Sequence, residues 1–130
     1  ALGPLVPIFR DFNRHRAPLP PAPIRVGAIS GALMMMRRSD FEVLGGFDEA
    51  YFVHVEDLDI CRRAELAGWP VIFAPGPHGM HVRSTSAADP NELSQHKRRG
   101  MAHYLRKFAR GPIERAFTSL AAFILVRGAQ

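Results

Sequence analysis

A pair of adjacent glycines followed by an acidic segment constrains this chain more than any other feature. The stretch from Gly45 to Arg63 reads GGFDEAYFVHVEDLDICRR. Gly45 and Gly46 can adopt backbone conformations that are closed to other residues, which predicts a sharp turn before Phe47. Carboxylates placed among aromatic and aliphatic residues, as here, indicate a binding or catalytic site. The stretch contains five of them, Asp48, Glu49, Glu56, Asp57 and Asp59.

The second half of this stretch predicts a helix over residues 56–67. Carboxylates in a first helical turn face unpaired backbone N–H groups and the positive end of the helix dipole. Steps of three, four and seven residues from Asp57 reach only apolar positions, so we expect Asp57 to point inward. Asp59 is followed by Arg62 and Arg63 at the spacing of surface ion pairs, and we predict a structural role for it.

Further regular elements are predicted on both sides of the acidic stretch. The apolar centre of residues 25–38 fits a buried strand, although its periodicity does not exclude a helix. Ser39 is predicted to cap a short helix over residues 40–44 that ends on the glycine pair. Strands are expected over residues 70–74 and 80–83. The chain therefore combines a few strands with flanking helices.

The two ends of the chain differ from its centre. Residues 1–23 hold six of the eleven prolines and are predicted to form an extended lead-in. Residues 89–130 form a basic and then apolar helical tail. Its first helix begins with a capping aspartate and a proline at positions 89 and 90, and its second begins at Gly111-Pro112. The second helix carries an apolar stripe of Ile113, Ala116, Phe117, Leu120 and Ile124.

The charge of the tail leaves two interpretations of its apolar stripe open. Residues 89–115 hold seven Lys and Arg against three Asp and Glu. The apolar run 117–126 is too short to span a bilayer of roughly 30 Å. The stripe either packs on the sheet or on another subunit, or lies on an anionic membrane surface.

Composition agrees with one small folded unit. The chain has 130 residues, of which 47% are hydrophobic and 22% charged, and this permits a single core. Its only cysteine, Cys61, excludes an internal disulfide. No stretch has the length and flanks of a signal peptide or a transmembrane helix. Because the first residue is Ala1 and not methionine, we expect a chain that was processed or cut from a longer one.

Several motifs in a fixed order resemble the second half of the catalytic domain of family-2 glycosyltransferases. They are SGALMMMRR, LGGFDE, EDLDICRR, GW and VIFAP, followed by His81. The resemblance covers about residues 26–86 and is strongest to the bacterial rhamnosyltransferase-like members that build cell-surface polysaccharides. It implies an α/β fold, a partial GT-A (nucleotide-diphospho-sugar transferase-like) fold with a helical C-terminal tail. Residues 24–88 would form the acceptor-side half of the catalytic domain.

The resemblance also implies a reaction and the residues that perform it. The reaction is inverting sugar transfer from a nucleotide-diphosphate sugar to a polysaccharide or lipid-linked acceptor. Asp57 would take the proton from the acceptor hydroxyl, and Glu56 would hold that hydroxyl. For residues 30–32, close backbone packing is the alternative to substrate contact. The residues implied to bind substrate are Gly31, Ala32, Gly46, Phe47, Asp48 and Arg63.

A divalent metal, Mn²⁺ or Mg²⁺, is implied by His81, which matches a histidine of the metal-dependent family members. Imidazole suits manganese less well than carboxylate does, so partner oxygens would be required. The family's Asp-x-Asp motif should precede this segment, and no Asp-x-Asp lies upstream of Gly31. We therefore expect metal binding only with a complete donor site, and little or no activity from this chain alone.

Other functions compete with this one. A glycoside hydrolase is disfavoured by the motif order, whereas a non-catalytic scaffold module with a transferase-like fold stays open. A basic helix that binds polyanions, through residues 97–110, is the third alternative; no specific nucleic-acid motif is present. A transferase of this kind would be cytoplasmic, at the inner face of the membrane. Peripheral membrane contact through residues 97–126 and self-association are both open.

Overall fold

A computed structural model describes residues 18–80 and 89–127 of the chain. A single 3₁₀ turn, Gly31–Leu33, lies between the first strand and the first helix. The predicted lead-in is described only from residue 18, and residues 18–23 form no helix or strand. The strand predicted over residues 80–83 lies outside the described residues except for its first position. In chain order the elements are β1 (Ile24–Val26), α1 (Arg38–Val43), α2 (Glu56–Leu66), β2 (Val71–Phe73), α3 (Pro90–Lys107) and α4 (Gly111–Arg127).

The core lies between α2 and a two-stranded antiparallel sheet. In the sheet Ile24 of β1 lies opposite Phe73 of β2, and Val26 lies opposite Val71. Burial raises the pKa of the Cys61 thiol, so this cysteine stays protonated and serves as a core side chain. The predicted apolar face of the helix and the predicted strand β2 are confirmed. The buried core is Cys61, Ala64 and Val71, and around it pack Val26, Ala28, Ile29, Met34, Leu44 and Trp69.

The strand predicted in the apolar centre of residues 25–38 is wrong in its position. The paired strand is β1, and the centre of the run forms the 3₁₀ turn instead. The three methionines at residues 34–36 belong to no strand or helix, and the Met35 side chain is 94% exposed. A strand requires partners for its backbone N–H and C=O groups, and the sheet of the described residues contains only β1 and β2.

The glycine pair ends α1 as predicted. Gly45 and Gly46 have φ angles of +82° and +72°, in the left-handed region. The Gly45 N–H donates to the Glu42 carbonyl at 3.0 Å, and the Gly46 N–H donates to the Phe41 carbonyl at 2.9 Å. This pair of bonds is the Schellman arrangement, which satisfies the last carbonyl groups of a helix.

The two predicted helix caps have opposite outcomes. Ser39 is not the cap of α1, because the helix already begins at Arg38 and Ser39 lies inside it. The helix starts earlier than the serine predicts, because the Phe41 N–H already donates to the Arg37 carbonyl at 3.0 Å. The predicted cap of α3 is confirmed, because the Asp89 carboxylate accepts a hydrogen bond from the Asn91 N–H at 2.8 Å.

α3 covers the loop that precedes α2, and α4 packs along α3. Gly100 permits the first contact, since a Cβ there would lie 3.4 Å from the His54 carbonyl and from side-chain atoms of Tyr51 and Val55. Ala102 of α3 is 1% exposed and Ala122 of α4 is fully buried. No helix within residues 18–80 and 89–127 is both long and apolar enough to cross a membrane.

Candidate functional site

The predicted base, Asp57, is held against the 3₁₀ turn. Its Oδ2 accepts a hydrogen bond from the Gly31 N–H at 2.9 Å, across 26 positions of the sequence. Its Oδ1 accepts one from the Leu58 N–H at 2.8 Å. A side chain at Gly31 would touch Asp57, because a Cβ there would lie 3.4 Å from the Asp57 Cβ. Asp57 is thus half-buried and oriented, and each oxygen keeps a further lone pair for another donor.

The neighbouring Glu56 has a buried oxygen without a partner. Its Oε2 has no hydrogen-bond partner among the described residues, although the side chain as a whole is only half-buried. A buried carboxylate oxygen without a donor is unfavourable, and such groups are uncommon outside functional sites. Glu56 therefore has an unused acceptor oxygen in the first turn of α2, next in sequence to Asp57.

Backbone strain precedes these two carboxylates. His54 and Val55 have φ angles of +65° and +75°, and Val55 is the residue that enters α2. The left-handed region is costly for a β-branched residue, at about 1–3 kcal/mol. The Val55 side chain is 4% exposed, so its packing offsets this cost. Strain of this kind concentrates at functional sites, and here it lies directly before Glu56.

Asp59, on the other side of α2, is fully buried. Of its two predicted partners, Arg63 pairs with Asp59 at 2.7 Å, whereas Arg62 pairs with Glu65. The prediction of a surface ion pair is wrong, because α3 and the loop before α2 cover this side of the helix. The predicted structural role agrees with the geometry. Oδ1 of Asp59 also accepts a hydrogen bond from the Tyr51 hydroxyl at 3.1 Å and pairs with the Lys107 ammonium at 2.7 Å.

Asp48 is tied to the same lysine. The Lys107 ammonium donates to Oδ2 of Asp48 at 2.7 Å, and the His103 imidazole lies 3.3 Å from that oxygen. The hydrogen bond from Lys107 is the main reason why the pKa of Asp48 lies well below its usual range, with the Ala50 N–H as the next cause. One ammonium group therefore joins the loop before α2 to the buried carboxylate within α2.

Arg63 closes the glycine turn onto α2. Its guanidinium binds Asp59 through Nε, the Leu44 carbonyl through Nη1, and the Gly46 carbonyl through Nη2 at 2.7 Å. The side chain is 18% exposed. The predicted substrate contacts of Arg63, Gly46 and Asp48 stay predictions. In the structure all three residues make hydrogen bonds that hold the loop before α2 to a helix.

A groove of about 460 Å³ lies beside the Asp57 contact. Gly31 belongs to its wall and also donates to Asp57, so the groove and the predicted base adjoin at this residue. Phe47 is 47% exposed and meets Phe41 edge to face, with ring centroids 5.2 Å apart. Ala32 is exposed on the 3₁₀ turn. The residues that line the groove are Gly31, Met34, Met36, Arg38, Phe41, Phe47 and Ile60.

The predicted metal site is not assembled by the described residues. Residues 18–80 and 89–127 contain no group of three or more His, Cys, Asp or Glu side chains placed to hold a metal ion. His81 lies outside the described residues. A divalent metal held by His81 therefore stays a prediction.

Sequence patterns missed three side chains of this region. Tyr51, His103 and Lys107 surround the Asp48 and Asp59 carboxylates, whereas the sequence predicts only a basic helix over residues 97–110. The only signal in the sequence was the spacing of four between His103 and Lys107, which places both on one face of a helix. That face also holds Gly100, the point of closest approach to the loop.

Comparison with known proteins now adds to this geometry. Residues 9–102 match the family described as glycosyltransferase like family 2, which is more than half of the chain. The chain belongs to this family. The resemblance seen in the sequence is thereby confirmed, and membership of family 2 supports the α/β class of the fold. The described helices and the two antiparallel strands agree with part of such a fold.

Two curated relatives of this family-2 chain are rhamnosyltransferases. The chain is 38% identical over 98 residues to the N-acetylglucosaminyl-diphospho-decaprenol L-rhamnosyltransferase of Mycobacterium tuberculosis, which covers 73% of the chain and 32% of the relative. It is 42% identical over 52 residues to Rhamnosyltransferase WbbL of Escherichia coli (strain K12), which covers 40% of the chain and 20% of the relative. The chain thus spans about a third or less of the length of these relatives. No solved structure matches it.

Proposed function

We propose that this chain forms the acceptor-side half of an inverting glycosyltransferase with a GT-A fold. The enzyme transfers a sugar from a nucleotide-diphosphate donor to a polysaccharide or lipid-linked acceptor in cell-envelope synthesis. Family membership supports sugar transfer, and the name of the mycobacterial relative supports an acceptor linked to a lipid diphosphate. Because such an acceptor lies in a membrane, we propose that the enzyme acts at a membrane surface, on the cytoplasmic side.

Asp57 is the general base of this proposal. As the acceptor oxygen bonds to the anomeric carbon, its proton passes to the Asp57 carboxylate, and the bond from that carbon to the nucleotide diphosphate breaks on the opposite side. Attack from the opposite side inverts the anomeric centre. The observation that carries this assignment is the Gly31 to Asp57 hydrogen bond, which fixes the carboxylate beside the groove.

Glu56 positions the acceptor. Its side chain is half-buried, and a change of its rotamer would bring Oε2, which lacks a donor among the described residues, to an acceptor hydroxyl. The exposed ring of Phe47 in the groove offers an apolar surface to the face of a sugar. Glu56 and Phe47 thus orient the acceptor, while Asp57 takes its proton.

The donor half of the site needs residues beyond those described. Mn²⁺ or Mg²⁺, held in part by His81, would neutralise the leaving diphosphate when bound. Since no Asp-x-Asp precedes Gly31 in this sequence, we propose that donor binding depends on partner oxygens that this chain does not supply.

Replacement of the base tests the proposal. Asp57→Asn in the intact enzyme should lower the rate of sugar transfer by about 10²–10⁴-fold, because asparagine cannot accept the proton. The fold should be preserved at a small cost in stability, about 1 kcal/mol, because the asparagine oxygen can still accept the Gly31 N–H but its NH₂ group cannot accept the Leu58 N–H. The measurement is the initial rate of transfer from labelled nucleotide sugar, together with the urea unfolding midpoint.

The matched control is Asp40→Asn, the same change at a carboxylate on α1 whose nearest cation, Arg37, is 3.8 Å away at the surface. Its rate should equal that of the wild type. A near-normal rate in Asp57→Asn would refute the assignment of the base. An intact enzyme that binds acceptor but transfers no sugar under any donor condition would instead favour the scaffold module.

A further inference from the structure

The apolar stripe of α4 lies on the outer side of the molecule. Ile113, Phe117, Leu120 and Ile124 are 74%, 70%, 58% and 60% exposed, respectively. Their spacings of four, three and four residues place them on one face of the helix. Ala122, which is fully buried, lies two residues from both Leu120 and Ile124, and therefore on the opposite face.

This distribution is the reverse of that of an ordinary surface helix, whose apolar face packs inward and whose polar face meets water. Here the face of α4 that packs on α3 contains Thr118, Ala122 and Leu125, while most of the large apolar side chains face outward. Residues 116–126 contain no charged side chain. An exposed apolar stripe of this size marks an interaction surface.

The charges around the stripe indicate which partner it meets. Arg110 and Arg115 precede the charge-free segment and Arg127 follows it in the sequence. Residues 89–109 add five Lys and Arg against two Asp and Glu, and of these Lys107 is already paired with Asp48 and Asp59. An anionic lipid surface would attract this hairpin from within a Debye length of about 8 Å and would also accept the apolar side chains.

We infer that α4 docks in the plane of an anionic membrane surface, with Ile113, Phe117, Leu120 and Ile124 inserted among the acyl chains. α4 lies on the membrane and does not cross it, because 17 residues of helix with arginines near both ends fit the interface. This inference rests on the proposed function in one respect, since a lipid-linked acceptor gives the enzyme a reason to be there.

A second copy of the chain is the less favourable partner. Packing two α4 stripes against each other would bring two hairpins of the same positive sign together, and like charges disfavour that contact. A lipid surface of negative sign adds attraction where a second copy adds repulsion.

Vesicle binding tests the inference without donor, acceptor or metal. Wild-type chain is mixed with vesicles of phosphatidylcholine containing phosphatidylglycerol, or of phosphatidylcholine alone, and the bound fraction is measured by flotation. We expect binding to the anionic vesicles, weakened by 0.5 M NaCl through screening. Phe117→Asp combined with Leu120→Asp should lower the partition coefficient by at least about tenfold, because two inserted side chains become charged.

The control variant combines Met35→Asp with Val43→Asp, which changes two side chains that are 94% and 75% exposed elsewhere on the molecule. It introduces the same two negative charges as the α4 double variant. Its vesicle binding should stay close to that of the wild type, apart from a small loss because two added negative charges are repelled by anionic lipid. Circular dichroism of both variants establishes that they are folded. Vesicle binding by Asp57→Asn should equal that of the wild type. The transfer rate therefore tests the assignment of the base, and vesicle binding tests the docking of α4 independently.

Three outcomes would overturn the docking inference. The α4 double variant binds anionic vesicles as tightly as the control variant. The wild type sediments as a dimer that the α4 substitutions dissociate and does not bind vesicles, which assigns the stripe to a second copy. The wild type binds heparin and anionic vesicles alike and the α4 substitutions affect neither, which leaves a general polyanion binder.

Discussion

Single charged side chains join the loop before α2 to α2 itself. Asp59 has no exposed surface, yet it receives donors from Tyr51, Arg63 and Lys107. A buried carboxylate is tolerated only when it is paired and hydrogen-bonded in this way. Because Lys107 also binds Asp48, the position of the acidic loop depends on a residue of α3. In the sequence, Glu56 and Asp57 lie between Asp48 and Asp59, the two carboxylates that Lys107 binds.

Removal of the Lys107 ammonium should lower stability in a pH-dependent manner. The folded-state pKa of Asp48 lies below its ordinary value of 3.8, so its contribution is present above about pH 4 and is lost as pH falls below it. Burial lowers the pKa of Lys107, but its bonds to Asp48 and Asp59 outweigh this and raise the pKa above 10.5. The lysine contribution is therefore present below about pH 10.5 and is lost as pH rises further.

Lys107→Met should thus be less stable than wild type by about 1–3 kcal/mol at neutral pH, with the difference shrinking below pH 4 and above pH 11. The free energy of unfolding in urea, measured from pH 2.5 to 12, checks this. Lys97→Met, at an exposed position of the same helix, is the control and should follow the wild-type curve. A constant difference between Lys107→Met and wild type across this range would contradict the ion-pair explanation.

Glycines end the first two helices with the same pair of backbone hydrogen bonds. Gly68 follows α2 with a φ angle of +82°, as Gly45 follows α1. The N–H of Gly68 donates to the Glu65 carbonyl at 3.0 Å, and the Trp69 N–H donates to the Ala64 carbonyl at 2.9 Å. These turns set where the acidic loop and β2 begin. The elements on either side of the candidate site are therefore delimited by local backbone geometry.

Gly45→Ala should destabilise the chain by about 1 kcal/mol, because a Cβ is strained at positive φ. Nothing lies within 4 Å of a Cβ at this position, so the cost is one of backbone conformation and not of packing. The unfolding midpoint in urea measures it. Gly76→Ala, which also has open space but lacks a positive φ, is the control and should be neutral or slightly stabilising. Equal midpoints for the two variants would show that Gly45 does not need its left-handed conformation.

The whole molecule is organised around α2. One side of α2 packs on the two strands and supplies the core, and the other side holds Asp59 under α3. α4 then packs along α3 and leaves its large apolar side chains outward. This arrangement places the Asp57 and Glu56 pair at one end of α2, and the proposed membrane-docking helix belongs to the outermost layer.

We expect donor binding to require oxygen ligands that this chain does not supply by itself. The chain matches 32% of the mycobacterial relative, and no Asp-x-Asp precedes Gly31 in its sequence. Calorimetric titration with nucleoside diphosphates and nucleotide sugars, with and without Mn²⁺, should therefore show no metal-dependent binding. Metal-dependent binding would contradict this expectation and would mean that the chain, alone or as an oligomer, rebuilds a donor site.

Residue patterns were sufficient for features that depend on near neighbours in the chain. α2, its apolar face, the turn at Gly45-Gly46 and the Asp89 cap all rest on contacts within about five residues, and each is confirmed. The order of the motifs also identified the family. The strand in residues 25–38 was misplaced because pairing depends on β2, which is distant in sequence.

The environment of the candidate site was decided by folding. The Gly31 to Asp57 bond joins residues 26 positions apart, and the Lys107 to Asp48 bond joins residues 59 positions apart. Periodicity on α2 placed Asp59 opposite its apolar face and hence at the surface. Periodicity describes one helix at a time, whereas the burial of Asp59 arises because α3 packs on the side of α2 that the pattern assigns to water.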